Sequence, residues 1–195
     1  MILVLDTETT GLLKGHRDFL GQPGIVQIGA VKLDDDLKEL ASMNVLVNPE
    51  IPESKWEPEA IKTHGITPAM VKDAPTFFEA GAALAEFTLG CHTWGGFNCK
   101  FDKNVLWWQL LRYGLEKNYP WPIREVDVMK RASKIMEVQG KRGTKFPSLT
   151  EAYQHCFGRD FEGAHDALSD IRATAEVWRW STLYIEGGEH AESKD

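Results

Sequence analysis

Cysteine is scarce in this chain, long apolar runs are absent, and cations are outnumbered by anions. The three cysteines, Cys91, Cys99 and Cys156, are widely spaced and form no CxxC pair. Neither a disulfide framework nor a four-ligand zinc site is therefore expected. His92 and His155 lie beside two of them, which leaves a zinc site formally open, but buried thiols in a reducing compartment account for the same residues. No stretch approaches the roughly 20 apolar residues of a membrane helix. Residues 1–5 run straight into Asp6 with no basic segment and no cleavage-type segment. Secretion and membrane insertion are disfavoured, and a cytoplasmic protein is expected.

Lys and Arg number 22 against 29 Asp and Glu, for a net charge of −7. A chain that grips a polyanion over its whole surface would carry the opposite sign. The cations are unevenly placed, however. Arg124, Lys130, Arg131, Lys134, Lys141, Arg142 and Lys145 face only Glu125, Asp127 and Glu137 between residues 124 and 145. That stretch reads either as a phosphate-backbone contact or as a solvated helix face and loop.

What is present is an ordinary globular composition, with 43% hydrophobic and 26% charged residues in 195. One domain over residues 1–186 is expected, followed by a polar, flexible tail over 187–195. No repeat or low-complexity tract interrupts it. Residues 2–5, 25–33, 43–47 and 91–94 read as strands. Residues 57–63, 76–89, 101–113, 126–138, 148–157 and about 166–184 read as helices. Ser148 followed by Glu151 has capping-box spacing. Leu168, Ile171, Ala175 and Trp178 form an apolar stripe on the last helix. Strands followed by helices interleaved with strands imply an α/β layer with a mixed sheet.

Asp6 and Glu8 end the first apolar strand. Period-two geometry sends both carboxylates to one face. At about 4 Å and an effective dielectric near 20, such a pair costs roughly 4 kcal/mol. A hard divalent cation such as Mg²⁺ or Mn²⁺ would remove that cost. Read singly, Asp6 as a turn cap and Glu8 as a solvated acid remain equally open. Further acids stand at helix starts: Asp102 begins one helix, and His165, Asp166 and Asp170 begin the last. Asp166 and Asp170 are four apart, the spacing of one helix face. An acid in a first turn also has a plain role against the helix dipole.

Three ordered stretches, DTETTG (residues 6–11), NCKFD (98–102) and HDALSD (165–170), resemble the motifs of the DEDDh 3′→5′ exonucleases. That family includes the proofreading subunit of the bacterial replicative polymerase, ribonuclease T and oligoribonuclease. The resemblance implies a ribonuclease-H-like fold, a mixed five-stranded sheet flanked by helices, with the acids converging at one end. It implies Asp6, Glu8, Asp102 and Asp170 as ligands of two Mg²⁺ or Mn²⁺ ions and His165 as general base. The sister group carries a tyrosine four residues before the last aspartate; here that residue is Asp166, so the histidine branch is the match. HGITPAMV (64–71) resembles a segment bordering the substrate pocket. Thr9, Leu12, His64 and Phe101 are then substrate-binding candidates, Leu12 as a wedge and Phe101 beside the terminal nucleotide.

Two departures stand out. Phe97 replaces a histidine common in the family, and residues 12–24, with Lys14, His16 and Arg17, exceed the compact members' length. The activity implied is hydrolysis of DNA from its 3′ end, single-stranded or frayed, to nucleoside 5′-monophosphates, with little sequence specificity. DNA is favoured because residues 64–71 resemble proofreading domains. Rival readings are an exoribonuclease, a non-catalytic nucleic-acid-binding module, and a metal phosphohydrolase built on His165 and Asp166. A polymerase partner and a homodimer both stay open.

Overall fold

The computed structural model describes residues 1–15, 21–136, 139–140 and 143–192. A five-stranded mixed sheet is built from β1 (Ile2–Thr9), β2 (Ile25–Leu33), β3 (Glu39–Leu46), β4 (Thr93–Gly96) and β5 (Arg124–Asp127). The spatial order is β3-β2-β1-β4-β5. β2 runs antiparallel to both β1 and β3, whereas β4 and β5 run parallel to β1. The parallel crossovers are helical, as parallel connections require. The helices are α1 (Pro58–His64), α2 (Pro68–Val71), α3 (Phe77–Thr88), α4 (Cys99–Arg112), α5 (Val128–Met136), α6 (Leu149–Phe157) and α7 (Ala167–Glu192). A short hairpin, β6 (Gln139–Gly140) with β7 (Gly143–Thr144), lies between α5 and α6.

Alternation along β1 divides the core. Leu3 and Leu5 pack with Phe77 and Leu84 of α3 and with Val105, Leu106 and Leu110 of α4. Ile2 and Val4 pack on the opposite side with Val128 of α5, Tyr153 of α6 and Ile171, Val177 and Trp178 of α7. Each fully buried aliphatic side chain contributes about 1.5–3 kcal/mol, so both layers are held by apolar burial.

Local signals end several elements where expected. Gly65 terminates α1 in the left-handed region (φ 73°). The Thr76 amide donates to the Glu79 carboxylate at 2.9 Å ahead of α3. Ser148 and Glu151 make the reciprocal bonds of a capping box before α6, at 3.1 and 2.8 Å.

Other boundaries differ. The first strand runs on through Asp6 to Thr9, because β2 supplies pairing partners over that whole length. β3 begins at Glu39 rather than residue 43; as an exposed edge strand it carries polar residues that conceal it from hydrophobic patterning. β4 begins at Thr93 and runs to Gly96, two residues later than read at either end. The segment read as one helix from residue 126 is β5 followed by α5, since Arg124–Asp127 pairs in parallel with Thr93–Gly96. The last helix continues to Glu192 with no proline to end it, so residues 187–192, read as tail, are helical. His16, Arg17, Glu137, Lys141 and Arg142 lie outside the described residues.

Two glycines set how closely α7 approaches the sheet. A Cβ at Gly29 of β2 would stand 2.7 Å from the Ala167 backbone, and one at Gly95 of β4 would stand 2.3 Å from the Trp178 ring. Backbone cannot yield as a side-chain tip can. Gly29→Ala is therefore expected to lower stability by about 1–3 kcal/mol, the usual cost of overpacking, and to reduce activity by displacing the start of α7. Urea unfolding followed by tryptophan fluorescence measures the first effect; an unchanged midpoint would show that α7 can retreat freely.

Candidate active site

The alternation that divides the core also sorts the acids. Asp6 and Glu8 continue the Ile2–Val4 side of β1 and face α7; Thr7 and Thr9 continue the Leu3–Leu5 side and face α4. One carboxylate oxygen from each of Asp6, Glu8 and Asp170 lies within 4.8 Å of the others. Asp102, in the first turn of α4 and only 3% exposed, comes from the other side of the sheet and stands outside that trio. Its Oδ1 accepts from both the amide and the hydroxyl of Thr7, each at 2.9 Å. α4 is brought into place by Asn98, which is left-handed at φ 64° and whose amide donates to Asp127 Oδ1 at 3.3 Å.

Four acids this close repel. Burial pushes Asp6 well above the ordinary carboxylate range, and Asp102, Glu8 and Asp170 push it further. Glu8 is raised to about 8, first by burial and then by Asp170 and Asp102. Burial raises Asp102 to about 7 although the Thr7 bonds oppose it. Burial likewise raises Asp170 to about 6 against the backbone bond from His165. Among the described residues no ion pair reaches any of the four. Hard oxygen donors on one centre, short of positive charge, fit a divalent cation.

An open cleft of about 330 Å³ begins at Glu8 and is lined by Thr9, Leu12, His64 and Phe101, with Glu57 and Thr63. Leu12 is 68% exposed, and its amide donates to Glu57 Oε2 at 3.2 Å. Glu57 also pairs with Lys14, so the exposed leucine is held from below. The Ile66 amide donates to His64 Nδ1 at 3.0 Å, which leaves Nε2 to donate to the Thr9 carbonyl at 3.2 Å. Burial lowers the His64 pKa, which keeps that tautomer neutral.

His165 is exposed and left-handed at φ 72°. Its amide donates to Asp170 Oδ1 at 3.2 Å. Asp166 differs from the helix-face partner suggested by its spacing. It caps α7, its Oδ2 accepting from the amide and the hydroxyl of Ser169, both at 3.1 Å. Burial works to raise Asp166, but those bonds and one from Gln27 hold it below its ordinary value.

Gln27, Asn44 and Glu57 were not picked out by sequence patterning, yet all three support the site. The available signal was Gln27 itself, one polar side chain inside the apolar strand IVQIGAVKL. Among the described residues the candidate metal group is the acidic trio, and Cys91, Cys99 and Cys156 are free. Three cations of the basic stretch have partners within the chain. Lys130 pairs with Asp127, Lys145 with Glu151, and Arg131 donates to Ser181 and Thr182. Among the described residues no helix is long and apolar enough to cross a membrane.

The chain is 28% identical over 189 residues to DNA polymerase III subunit epsilon of Pasteurella multocida (strain Pm70), covering 96% of this chain and 68% of that protein. It is 31% identical over 182 residues to an uncharacterized exonuclease of Escherichia phage 186, covering 90% and 84%. A shorter match, 35% identical over 88 residues, covers 45% of this chain and 33% of the epsilon subunit of Haemophilus influenzae (strain ATCC 51907 / DSM 11121 / KW20 / Rd). Among solved structures, exonuclease X in complex with 5′ overhanging duplex DNA aligns with a TM-score of 0.60 and 25% identity, over 93% of this chain and 92% of that one. The nuclease domain of 3′hExo, a DEDDh family member bound to rAMP, aligns with a TM-score of 0.70 and 21% identity, over 95% and 92%, and shares the ribonuclease-H-like fold. The exonuclease family profile matches residues 3–178, nearly the whole chain, and the chain belongs to the exonuclease family.

Proposed function

We propose that this chain is a metal-dependent 3′→5′ exonuclease that releases nucleoside 5′-monophosphates from the 3′ end of DNA, single-stranded or frayed. The observation that carries the reading is the convergence of Asp6, Glu8 and Asp170 within 4.8 Å, with Asp102 behind Thr7, at the mouth of an open cleft. DNA is favoured because a relative matched over 96% of this chain is a DNA polymerase subunit and the solved neighbour at 25% identity is described with DNA.

In this reading Asp6, Glu8, Asp102 and Asp170 would hold two Mg²⁺ or Mn²⁺ ions. Bound there, the pair would supply positive charge to the attacking water and to the leaving oxygen. The chain's own residues do the rest. His165 accepts the water's proton as the water oxygen bonds phosphorus and the bond to the 3′ oxygen breaks; that oxygen stays on the shortened strand and takes a proton from solvent, and the phosphate leaves on the 5′ side of the released nucleoside. General-base help of this kind is worth about 10²- to 10⁴-fold. His64 fixes the Thr9 carbonyl at the cleft floor. Leu12 and Phe101 offer apolar faces to the terminal bases, contacts that tolerate any sequence. A polymerase partner or a second copy of the chain is compatible with the free-standing cleft.

Digestion of 5′-labelled single-stranded DNA and of RNA of the same sequence tests the class and the sugar together. A Mg²⁺- or Mn²⁺-dependent ladder shrinking from the 3′ end, faster on DNA, is expected, with no cleavage by Asp6→Ala. Faster loss of RNA would make the chain an exoribonuclease, and oligonucleotide binding without cleavage would make it a non-catalytic module. His165→Ala is expected to lower kcat about 10²- to 10⁴-fold; full activity in that variant would remove the histidine as base.

Electrostatics give a separate check. Glu8, Asp102 and Asp170 all titrate higher in the folded chain than their ordinary values. At these groups the folded state thus binds more protons, and their contribution to metal-free stability is fully present below about pH 4 and is lost as pH rises through 6 to 8. In EDTA the Tm should fall between pH 5.5 and pH 8, and Mg²⁺ or Mn²⁺ should restore it at pH 8. Glu8→Gln should raise the metal-free Tm at pH 8 by about 2–4 °C, the shift that ~1 kcal/mol produces at this size, while abolishing cleavage. A lower Tm for Glu8→Gln in EDTA would contradict the repulsive cluster.

A further inference from the structure

Gln27 is the polar interruption in the apolar strand β2, and the register explains where it points. It pairs directly with Glu8, so its side chain shares the face that meets α7. The amide is 8% exposed and fully engaged. Its Nε2 donates to Asp166 Oδ1 at 3.1 Å and to Asn44 Oδ1 at 3.0 Å, while its Oε1 accepts from the Ala167 amide at 3.4 Å. Buried amides satisfied on both ends are rigid anchors, because an unpaired donor or acceptor there is costly.

The anchored residue is Asp166, immediately after His165. Its second carboxylate oxygen caps α7 through Ser169, and its own amide donates to the Gly163 carbonyl at 3.0 Å. His165 is thus suspended between a clamped Asp166 and the single bond from its amide to Asp170. It adopts a left-handed backbone, a conformation that persists in a residue with a side chain only where neighbours impose it. The imidazole is exposed and within electrostatic reach of Asp170 and His64, so the clamped backbone fixes the point from which the ring reaches the acidic cluster.

We propose that Gln27, supported by Asn44, is a positioning residue that aims His165 at the acidic cluster by clamping Asp166. The proposal rests on the reading of His165 as the base that accepts the water's proton. It adds a strand residue more than 130 positions away in sequence to the groups on which that step depends.

The test is a double-mutant cycle on a short DNA oligonucleotide at saturating Mg²⁺, with kcat and KM measured for the unmodified chain, Gln27→Leu, His165→Ala and the double variant. Gln27→Leu should lower kcat about 10- to 100-fold, the usual effect of losing a group that orients a catalytic residue. KM and the Mg²⁺ concentration for half-maximal rate should stay within about 2-fold. In the His165→Ala background the same substitution should cost less than about 2-fold, because the residue it aims is gone. Equal losses in both backgrounds would overturn the proposal by placing Gln27's effect on the acids or the fold, and so would an unaltered kcat for Gln27→Leu. Full activity of His165→Ala alone would overturn the base assignment itself, an outcome read independently of Gln27. If Gln27→Leu does not fold, Asp166→Ser replaces it in the same cycle. That variant keeps a capping oxygen for Ser169 but loses the reach to Gln27, and the same pattern of losses decides the question.

Discussion

Mutual repulsion among four buried or half-buried carboxylates is the constraint around which the rest of the structure is arranged. Asp6 and Glu8 are forced onto one side of β1 by strand geometry, Asp170 is carried to them by α7, and Asp102 stands behind Thr7. Left alone these groups favour protonation, as the raised values of Glu8, Asp102 and Asp170 record. The cluster persists because apolar burial on both sides of the sheet outweighs it. Val4, Ile171 and Trp178 hold α7 down on one side, while Leu5, Val105 and Leu106 hold α4 on the other. The stress is local, and it is relieved by the positive charge that such a donor set binds.

Close approach is the second requirement. Glycine at positions 29 and 95 lets the start and the middle of α7 lie nearer the sheet than any side chain would permit. Gly29 pairs with Asp6 and Gln27 with Glu8, so β2 provides space beside one acid and an anchor beside the other. Specific hydrogen bonds then fix directions that packing leaves loose. Thr7 orients Asp102, Glu57 secures Leu12, and His64 holds Thr9. The cleft wall is therefore formed by α1 and the strand end together, with Phe101 of α4 opposite.

Much of this was legible in the sequence where a single period governs the pattern. β2 begins and ends where its apolar run does, α6 starts at its capping box, and the last helix carries its stripe. Legibility failed where pairing, not burial, makes the element. β5 is a polar four-residue strand that exists because β4 lies beside it, and β3 shows polar residues because it is an edge. Residues 6–9 are polar in composition yet extended, since β2 supplies them with a ladder.

The sequence by itself determined the chemical inventory: three ordered motifs, four acids and a histidine, and the same-face placement of Asp6 and Glu8 by a period of two. Tertiary structure decided which of these meet. Only the packing of α7 on Gly29 brings Asp170 to Asp6, only the opposite face of β1 gives Asp102 to Thr7, and only the packing of α7 on β2 sets Gln27 against Asp166. The physical reason is range. Propensity and periodicity act over a few residues, whereas the site joins groups separated by roughly half the chain or more, and their meeting depends on how closely two layers can pack against one sheet.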